Sequence, residues 1–358
     1  MPTDPRRRHL LILAIIALVS VLLAGVAVWQ QSRNDVSTTS QDDFFPGFAK
    51  KVRKATHIHI ASSTGAFDIT FSPQKGWVVP QRYDFPASFD LVRRTLVGMA
   101  ALVTLEPKTA NPAWLHFIGL DAPPKGTGIA ITVSNEKGEA LAALIAGRSE
   151  DIGDSSGAIG LFVRRPNEDQ SWLVRSVFDP RPLISDWLDK TVVDIDRARI
   201  QSVTFQPPNA PSFTVSRAKP ADADFTLSPL SKPLPDASMP DALAAAITGF
   251  SFNDVRPAKD LDFGAPGGAS HVVTTTFDGL RVTVNVLKQG TDYWASVSAE
   301  ATDPSRTDAN KEAANINAHA SGWAYKLETF KGQLFMTTLD TLLKAAQGPA
   351  AGAPPPQQ

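Results

Sequence analysis

From Leu10 to Trp29 every position is apolar except Ser20 and Gly25. At about 1.5 Å per residue, a helix of that length spans roughly 30 Å, the thickness of a bilayer core. Its thirteen Leu, Ile and Val residues favour insertion by about 4–8 kcal/mol in sum. The pattern then inverts. Gln30 to Asp43 is polar apart from Val36, as in a flexible tether. About 300 residues of short alternating segments follow, and the chain ends in a Pro/Ala/Gly-rich tail expected to be disordered.

The alternating region reads twice, at a period of about 140 to 160 residues. Lys51 to Ala55 leads into the strand His57-Ile58-His59-Ile60, much as Asp194 to Ala198 leads into Ile200 to Phe205. Period-two hairpin strands follow in each half, Phe67–Phe71 with Trp77–Val79 and Phe213–Val215 with Phe225–Leu227. Helical stripes come next: Phe89, Val92, Leu96, Met99 and Val103 after Pro86, then Met239, Leu243, Ile247 and Phe250 after the candidate caps Asp236 and Ser238. Glycine turns at Gly119 and Gly264 precede two more strand pairs in each half.

The first of these pairs is Ile129–Val133 with Ala140–Ile145, matched by Val272–Phe277 with Arg281–Leu287 around Asp278-Gly279, a strong hairpin signal. The second is Gly160–Val163 with Trp172–Val174, matched by Gly322–Tyr325 with Gln333–Phe335. Short helices at Pro182–Leu188 and Leu339–Ala346 close the halves, and the polar stretch Ala299–Ser321 is expected to be a surface loop or a short helix.

The expected fold class is therefore α+β: an N-terminal transmembrane helix followed by two tandem, similar, mostly antiparallel β-sheet domains, each with one principal packed helix. The boundaries are 1–9 for a cytoplasmic N-terminus, 10–29 for the span, 30–43 for the tether, 44–192 and 193–346 for the domains, and 347–358 for the tail.

Charge orients this architecture. Lys and Arg total 35 against 36 Asp and Glu, but Arg6, Arg7 and Arg8 precede the span and Arg33 alone follows it closely. The positive-inside rule keeps the N-terminus in the cytoplasm and places the remainder outside. A cleaved signal peptide, cut near Gly25-Val26-Ala27, is the competing expectation; a twenty-residue apolar run favours the uncleaved anchor. Near neutrality supplies no footprint for nucleic acid. The absence of cysteine excludes disulfides, thiolate metal sites and a cysteine nucleophile.

Candidate chemistry is sparse. Gly153-Asp154-Ser155-Ser156-Gly157 matches G-x-S-x-G, yet it lies between strands with no helix after it, so a glycine-rich loop is expected instead of a nucleophile elbow. His57 and His59 project from one face of a strand and could share a metal only if another ligand converged from elsewhere. Their expected role is as polar residues on a solvated face. His116, His271 and His319 are isolated. Gly126-Thr127-Gly128 is expected to be a turn. Asp186, Asp189, Asp194 and Asp196 could pair for glycoside hydrolysis, although capping and surface ion pairs are the expected use. Lys50, Lys51, Arg53 and Lys54 form the densest basic run, expected as a solvated strand lead. No residue set is assigned as catalytic, cofactor-binding or metal-ligating, and no cofactor is expected.

The order of features resembles the bacterial domain-of-unknown-function 4340 family. The resemblance is carried by the anchor Leu10–Trp29, Phe45-Pro46-Gly47-Phe48, Gly76-Trp77-Val78-Val79, Tyr83-Asp84-Phe85-Pro86-Ala87, Ile118 to Pro124, Gly147 with Gly160 to Arg164, and Asp186 to Lys190 leading to Asp194-Ile195-Asp196. It covers about residues 10 to 200 well, and the second half by architecture. The resemblance implies a single-span envelope protein near an ABC-type transporter and supplies no catalytic residue. The expected function is a membrane-anchored extracytoplasmic interaction or scaffold module in the inner membrane, with a membrane or envelope protein, such as ABC-transporter subunits, as partner. The alternative is an extracytoplasmic hydrolase or a glycan- or small-molecule-binding protein.

Overall fold

The computed structural model describes residues 42–344 apart from 231, 266 and 267. The expected cytoplasmic N-terminus, the span 10–29, the tether to residue 41 and the tail lie outside the described residues. No helix among the described residues is long and apolar enough to cross a membrane.

After a single helical turn, α1 (Phe48–Lys51), the first half runs through β1 (Ala55–Ser62), β2 (Gly65–Ser72), β3 (Gly76–Val79), a two-residue β4 (Phe85–Pro86), α2 (Phe89–Ala100), β5 (Val103–Pro107), β6 (Ile129–Asn135), β7 (Ala140–Glu150), β8 (Ile159–Arg164) and β9 (Ser171–Ser176). The second continues with β10 (Ile200–Gln206), β11 (Phe213–Ser216), β12 (Thr226–Ser228), α3 (Met239–Ala244), β13 (Phe252–Pro257), β14 (Ala269–Thr276), β15 (Leu280–Gln289), β16 (Asp292–Ala301), α4 (Thr307–Ala320), β17 (Trp323–Leu327), α5 (Thr329–Phe335) and α6 (Leu339–Lys344). The protein is α+β, built on two antiparallel sheets ordered β4-β3-β2-β1-β6-β7-β8-β9-β5 and β12-β11-β10-β14-β15-β16-β17-β13.

Apart from β4, the second order repeats the first strand for strand. A register shift falls at the same place in each, between Ala55 and His57 and between Ile200 and Ser202. Alternation explains the layering. Ile58, Ile60, Phe67 and Ile69 turn inward in one sheet, as do Val203, Phe205, Phe213 and Val215 in the other, and all eight are buried in one continuous apolar cluster. At the junction, Phe85 meets Trp323 and Phe252 edge to face, at 4.9 and 6.0 Å between ring centroids, and Arg82 pairs with Asp254.

Several expectations are corrected. The stripe of α2 holds at Val92, Leu96 and Met99, but Phe89 is 65% exposed and Val103 begins a strand. Ser88, not Pro86, opens this helix, its hydroxyl accepting from the Leu91 N–H. In the second half, α3 ends at Ala244 and passes into a 3-10 turn, so Ile247 and Phe250 are buried outside it. The longest helix there is α4, inside the stretch expected to be a loop or short helix. Its buried stripe is Ala309, Ala313, Ile316 and Ala320, whose mostly single-methyl side chains give little apolar contrast for a pattern search.

Gln333–Phe335 is helical, not a strand. Gly332 presses α5 onto Tyr293, and β17 pairs with β13 and β16 instead. The β5 and β13 strands, which sequence alternation did not mark, close the far edge of each sheet against β9 and β17. Residues 182–188 hold only a 3-10 turn, Ile184–Trp187. At the other end, Asp42 and Asp43 do not continue a tether: Asp43 bridges Val103, and Thr104 donates to the Asp42 carbonyl.

Candidate functional site

Each sheet has one face on the shared core and one turned outward. Part of the outward face is covered in both halves by the segment after β5 or β13. Leu115 and Leu120 pack on Ile145 in the first, and Leu261 packs with Trp294 and Ala324 in the second. The corner of the first sheet where β1, β2 and β6 meet stays open and carries His57 and His59.

Here the topology supplies what the two histidines lacked in sequence. β1 and β2 pair antiparallel with His59 opposite Asp68 and His57 opposite Thr70, so all four side chains leave the same face. Asp68 Oδ1 accepts from His57 Nε2 at 2.9 Å and from His59 Nδ1 at 2.7 Å. Gln81, in the 3-10 turn Pro80–Arg82, donates from Nε2 to Asp68 Oδ2 at 2.7 Å, while its Oε1 accepts the Asp68 N–H at 3.1 Å. Partial burial raises the Asp68 carboxyl, but the bonds from His59, Gln81 and His57 outweigh it and hold the group below the usual carboxylate range. The three potential ligand atoms lie within 4.8 Å of one another, the one such group of three among the described residues. A hollow of about 440 Å³ adjoins His57, walled by Thr70, Phe71, Ser134 and Glu136.

The other candidates are not brought together. Ser155 is exposed on the Asp154–Gly157 turn, with strand β8 following it. Asp154 orders that turn by accepting from Arg175 Nε and from the Ser156 N–H, and the Arg175 bond first, then those from Ser156, hold its carboxyl well below the usual range. The histidine hydrogen bonds go to Asp68, Asn285 and the Asn315 carbonyl, not to Ser155. Asp189 and Asp196 each cap a local backbone N–H, of Thr191 and Ala198, and Asp194 is exposed. Gly126 and Gly128 close a turn on the Asp121 carbonyl, which a Cβ would meet at 2.3 and 2.6 Å. Lys50, Lys51, Arg53 and Lys54 are exposed on α1 and the 3-10 turn after it, directly before β1, so the basic run is the expected solvated lead into a strand, in helical conformation.

One surface feature was not singled out in the sequence. Trp114 and Phe117, three residues apart on the 3-10 segment Pro112–Ile118, are 59% and 63% exposed. Three residues per turn place both rings on one side. Beneath them Leu115 is buried, and Asn111 caps the segment by accepting from the Ala113 N–H, so the pair stands on a fixed mount.

Comparison with known proteins adds a family. Its sequence profile, described as a domain of unknown function (DUF4340), matches residues 77–265, more than half of the chain. The matched stretch includes Gln81, Trp114 and Phe117 but begins after His57, His59 and Asp68. No curated protein and no solved structure matches the chain.

Proposed function

The chain belongs to the domain-of-unknown-function 4340 family, and from that premise we propose that it is a membrane-anchored extracytoplasmic interaction module, accessory to an ABC-type transporter of the envelope. The observation that carries this reading is the Trp114–Phe117 pair. Two large rings more than half exposed on a capped, buried mount lie outside the core, with Phe117 tilted against the His116 ring, and aromatic residues with a rigid base are the usual anchors of protein interfaces. The apolar run Leu10–Trp29 behind three arginines supports an inner-membrane anchor with the two sheets outside the cytoplasm. The repeated strand order supports descent of the two halves from one duplicated unit, which gives a rigid double platform. The hydrolase alternative has less support, because Ser155 lies exposed on a turn with no histidine among the described residues bonded to it, and Asp189 and Asp196 each accept from a local backbone N–H.

The partner in this reading is a membrane-embedded transporter subunit that offers an apolar cleft to the two rings. Crosslinking in intact cells followed by purification in mild detergent should recover a membrane protein with the wild-type chain. The double variant Trp114→Ala/Phe117→Ala should lose that product by about tenfold or more, as expected for two anchor residues. A wild-type chain that comes down alone, or a partner retained undiminished by the double variant, overturns the proposal.

A further inference from the structure

We propose that His57, His59 and Asp68 form a binding site for a divalent transition ion of borderline softness, with Zn²⁺ as the reference ion and at least one coordination position open to solvent. The site is independent of the docking role above and lies outside the stretch matched to the family.

Geometry carries the first step. Ligands around a tetrahedral zinc with bonds of about 2.0–2.1 Å stand roughly 3.3 Å apart. His57 Nε2 and His59 Nδ1 already approach a single oxygen of Asp68 at 2.9 and 2.7 Å. To seat an ion among these half-exposed side chains, the two N···O pairs would open by roughly 0.5 Å and the two ring nitrogens, within 4.8 Å of each other, would settle near the same spacing. Ligation uses neutral imidazoles, so a proton on a ligating nitrogen moves to the other ring nitrogen or is released to water. The ion takes the place of the two N–H donors that now satisfy Asp68 Oδ1.

A supporting partner is in position as well. Metal-binding carboxylates are characteristically held by a hydrogen bond to the oxygen that does not ligate. Gln81 does this from a different element, fixing Asp68 Oδ2 and the Asp68 N–H together. The donor set of two nitrogens and one carboxylate oxygen suits Zn²⁺ and its neighbours in the first transition row; Ca²⁺ and Mg²⁺ require oxygen shells. With three protein ligands on an open sheet corner, the remaining position faces water and the hollow of about 440 Å³ beside His57, which has room for a small anion.

The fold itself supplies a control that keeps the site testable. At the matching register of the second sheet stand Ser202, Thr204 and Thr214, with the two threonine hydroxyls 3.0 Å apart. The triple variant His57→Ser/His59→Thr/Asp68→Thr therefore installs side chains that this backbone already accommodates.

The test uses the full chain in detergent, without a polyhistidine tag, titrated with Zn²⁺ against a chromogenic chelator and with Co²⁺ followed by its visible absorption. One Zn²⁺ per chain should bind and displace Co²⁺. The triple variant should still unfold cooperatively and lose affinity by at least about 100-fold, and Gln81→Ala should weaken binding by about 10- to 100-fold. The absence of saturable binding by the wild-type chain overturns the site, and so does an equivalent retained by the triple variant.

Discussion

The β1–β2–β6 corner of the first sheet and the β10–β11–β14 corner of the second share a strand order, an antiparallel register and a bulge, and they differ in what they point at solvent. In the first, His57, His59 and Asp68 share one hydrogen-bonded cluster. In the second, Ser202, Thr204 and Thr214 occupy the same register with hydroxyls. Backbone geometry is therefore common property, and chemistry enters through three outward positions that the core does not constrain. The buried positions between them stay aliphatic or aromatic in both sheets: Ile58 and Ile60 against Val203 and Phe205.

The largest expected effect comes from moving the chemistry across that comparison. Ser202→His/Thr204→His/Thr214→Asp should give the full chain a second Zn²⁺ equivalent. It should bind about 10- to 100-fold more weakly than the first, because Pro229 and Leu230 follow β12 where Gln81 follows β3, and neither side chain can donate to the new carboxylate. Stoichiometry in the chelator competition checks this. A count that stays at one would show that the two corners are less alike than their register, and would confine the difference to backbone detail.

Helix docking gives the next effect. Each half presses a helix onto an aromatic ring through a glycine: Gly98 of α2 onto Phe178, where a Cβ would lie 2.6 Å from the nearest ring atom, and Gly332 of α5 onto Tyr293, where it would lie 2.1 Å away. Gly332→Ala should cost about 2–3 kcal/mol and Gly98→Ala somewhat less, since overpacking forces the ring or the helix to shift. Thermal unfolding of the two variants ranks them. Equal and negligible losses would mean that both helices ride on adaptable contacts.

How much of this was legible in the chain depends on what kind of contact carried it. Hairpins were legible because alternation and turn residues are local: Asp278-Gly279 and the Ile58/Ile60 stripe each declare a strand within a few positions. The β5 and β13 strands were not, because they are short, half-buried edges defined by pairing with β9 and β17, strands distant in sequence. The α4 helix was legible only as one of two alternatives, because an alanine stripe contrasts weakly with its Asn, Glu and His neighbours. Asp68 is the instructive omission. Counting outward from the Ser62 and Gly65 pair around the two-residue turn Ser63-Thr64 reaches His59 opposite Asp68, so the third ligand was encoded in the hairpin register. Gln81 was not encoded in that way, because its approach depends on a turn two strands away.

A smaller contrast lies just before the first strand of each sheet. Lys54 is exposed, whereas its counterpart Arg199 donates to both oxygens of Glu312 on α4, at 2.9 and 2.7 Å, and to Asp278 at 2.8 Å. A two-pronged Arg–carboxylate pair at partial exposure contributes about 1 kcal/mol. Glu312→Ala should cost about that amount, while Lys54→Ala should stay within about 0.5 kcal/mol. Equal losses in thermal unfolding would mean that the clamp adds nothing over a free lysine.

The smallest effect is a pH dependence that belongs to the second sheet's hairpin turn. Partial burial raises the Asp278 carboxyl, but hydrogen bonds from Thr276 and Arg199 outweigh it and leave it below the ordinary carboxylate value. A carboxyl that is more acidic in the folded chain than in the unfolded one contributes stability above its unfolded value, about pH 4, and loses it as pH falls through the lower folded value. Asp278 is about half-exposed, so solvent screening limits the contribution to less than about 1 kcal/mol. Asp278→Asn should therefore unfold at a slightly lower temperature than wild type at pH 7, and the gap should close as the buffer is taken from pH 5 down to 3. A gap that persists undiminished at pH 3 would assign the loss to the geometry of the Asp278-Gly279 turn and not to its charge, and would bring this turn into line with the matching hairpin, where the uncharged Asn135 amide accepts the backbone N–H groups of Lys137 and Glu139.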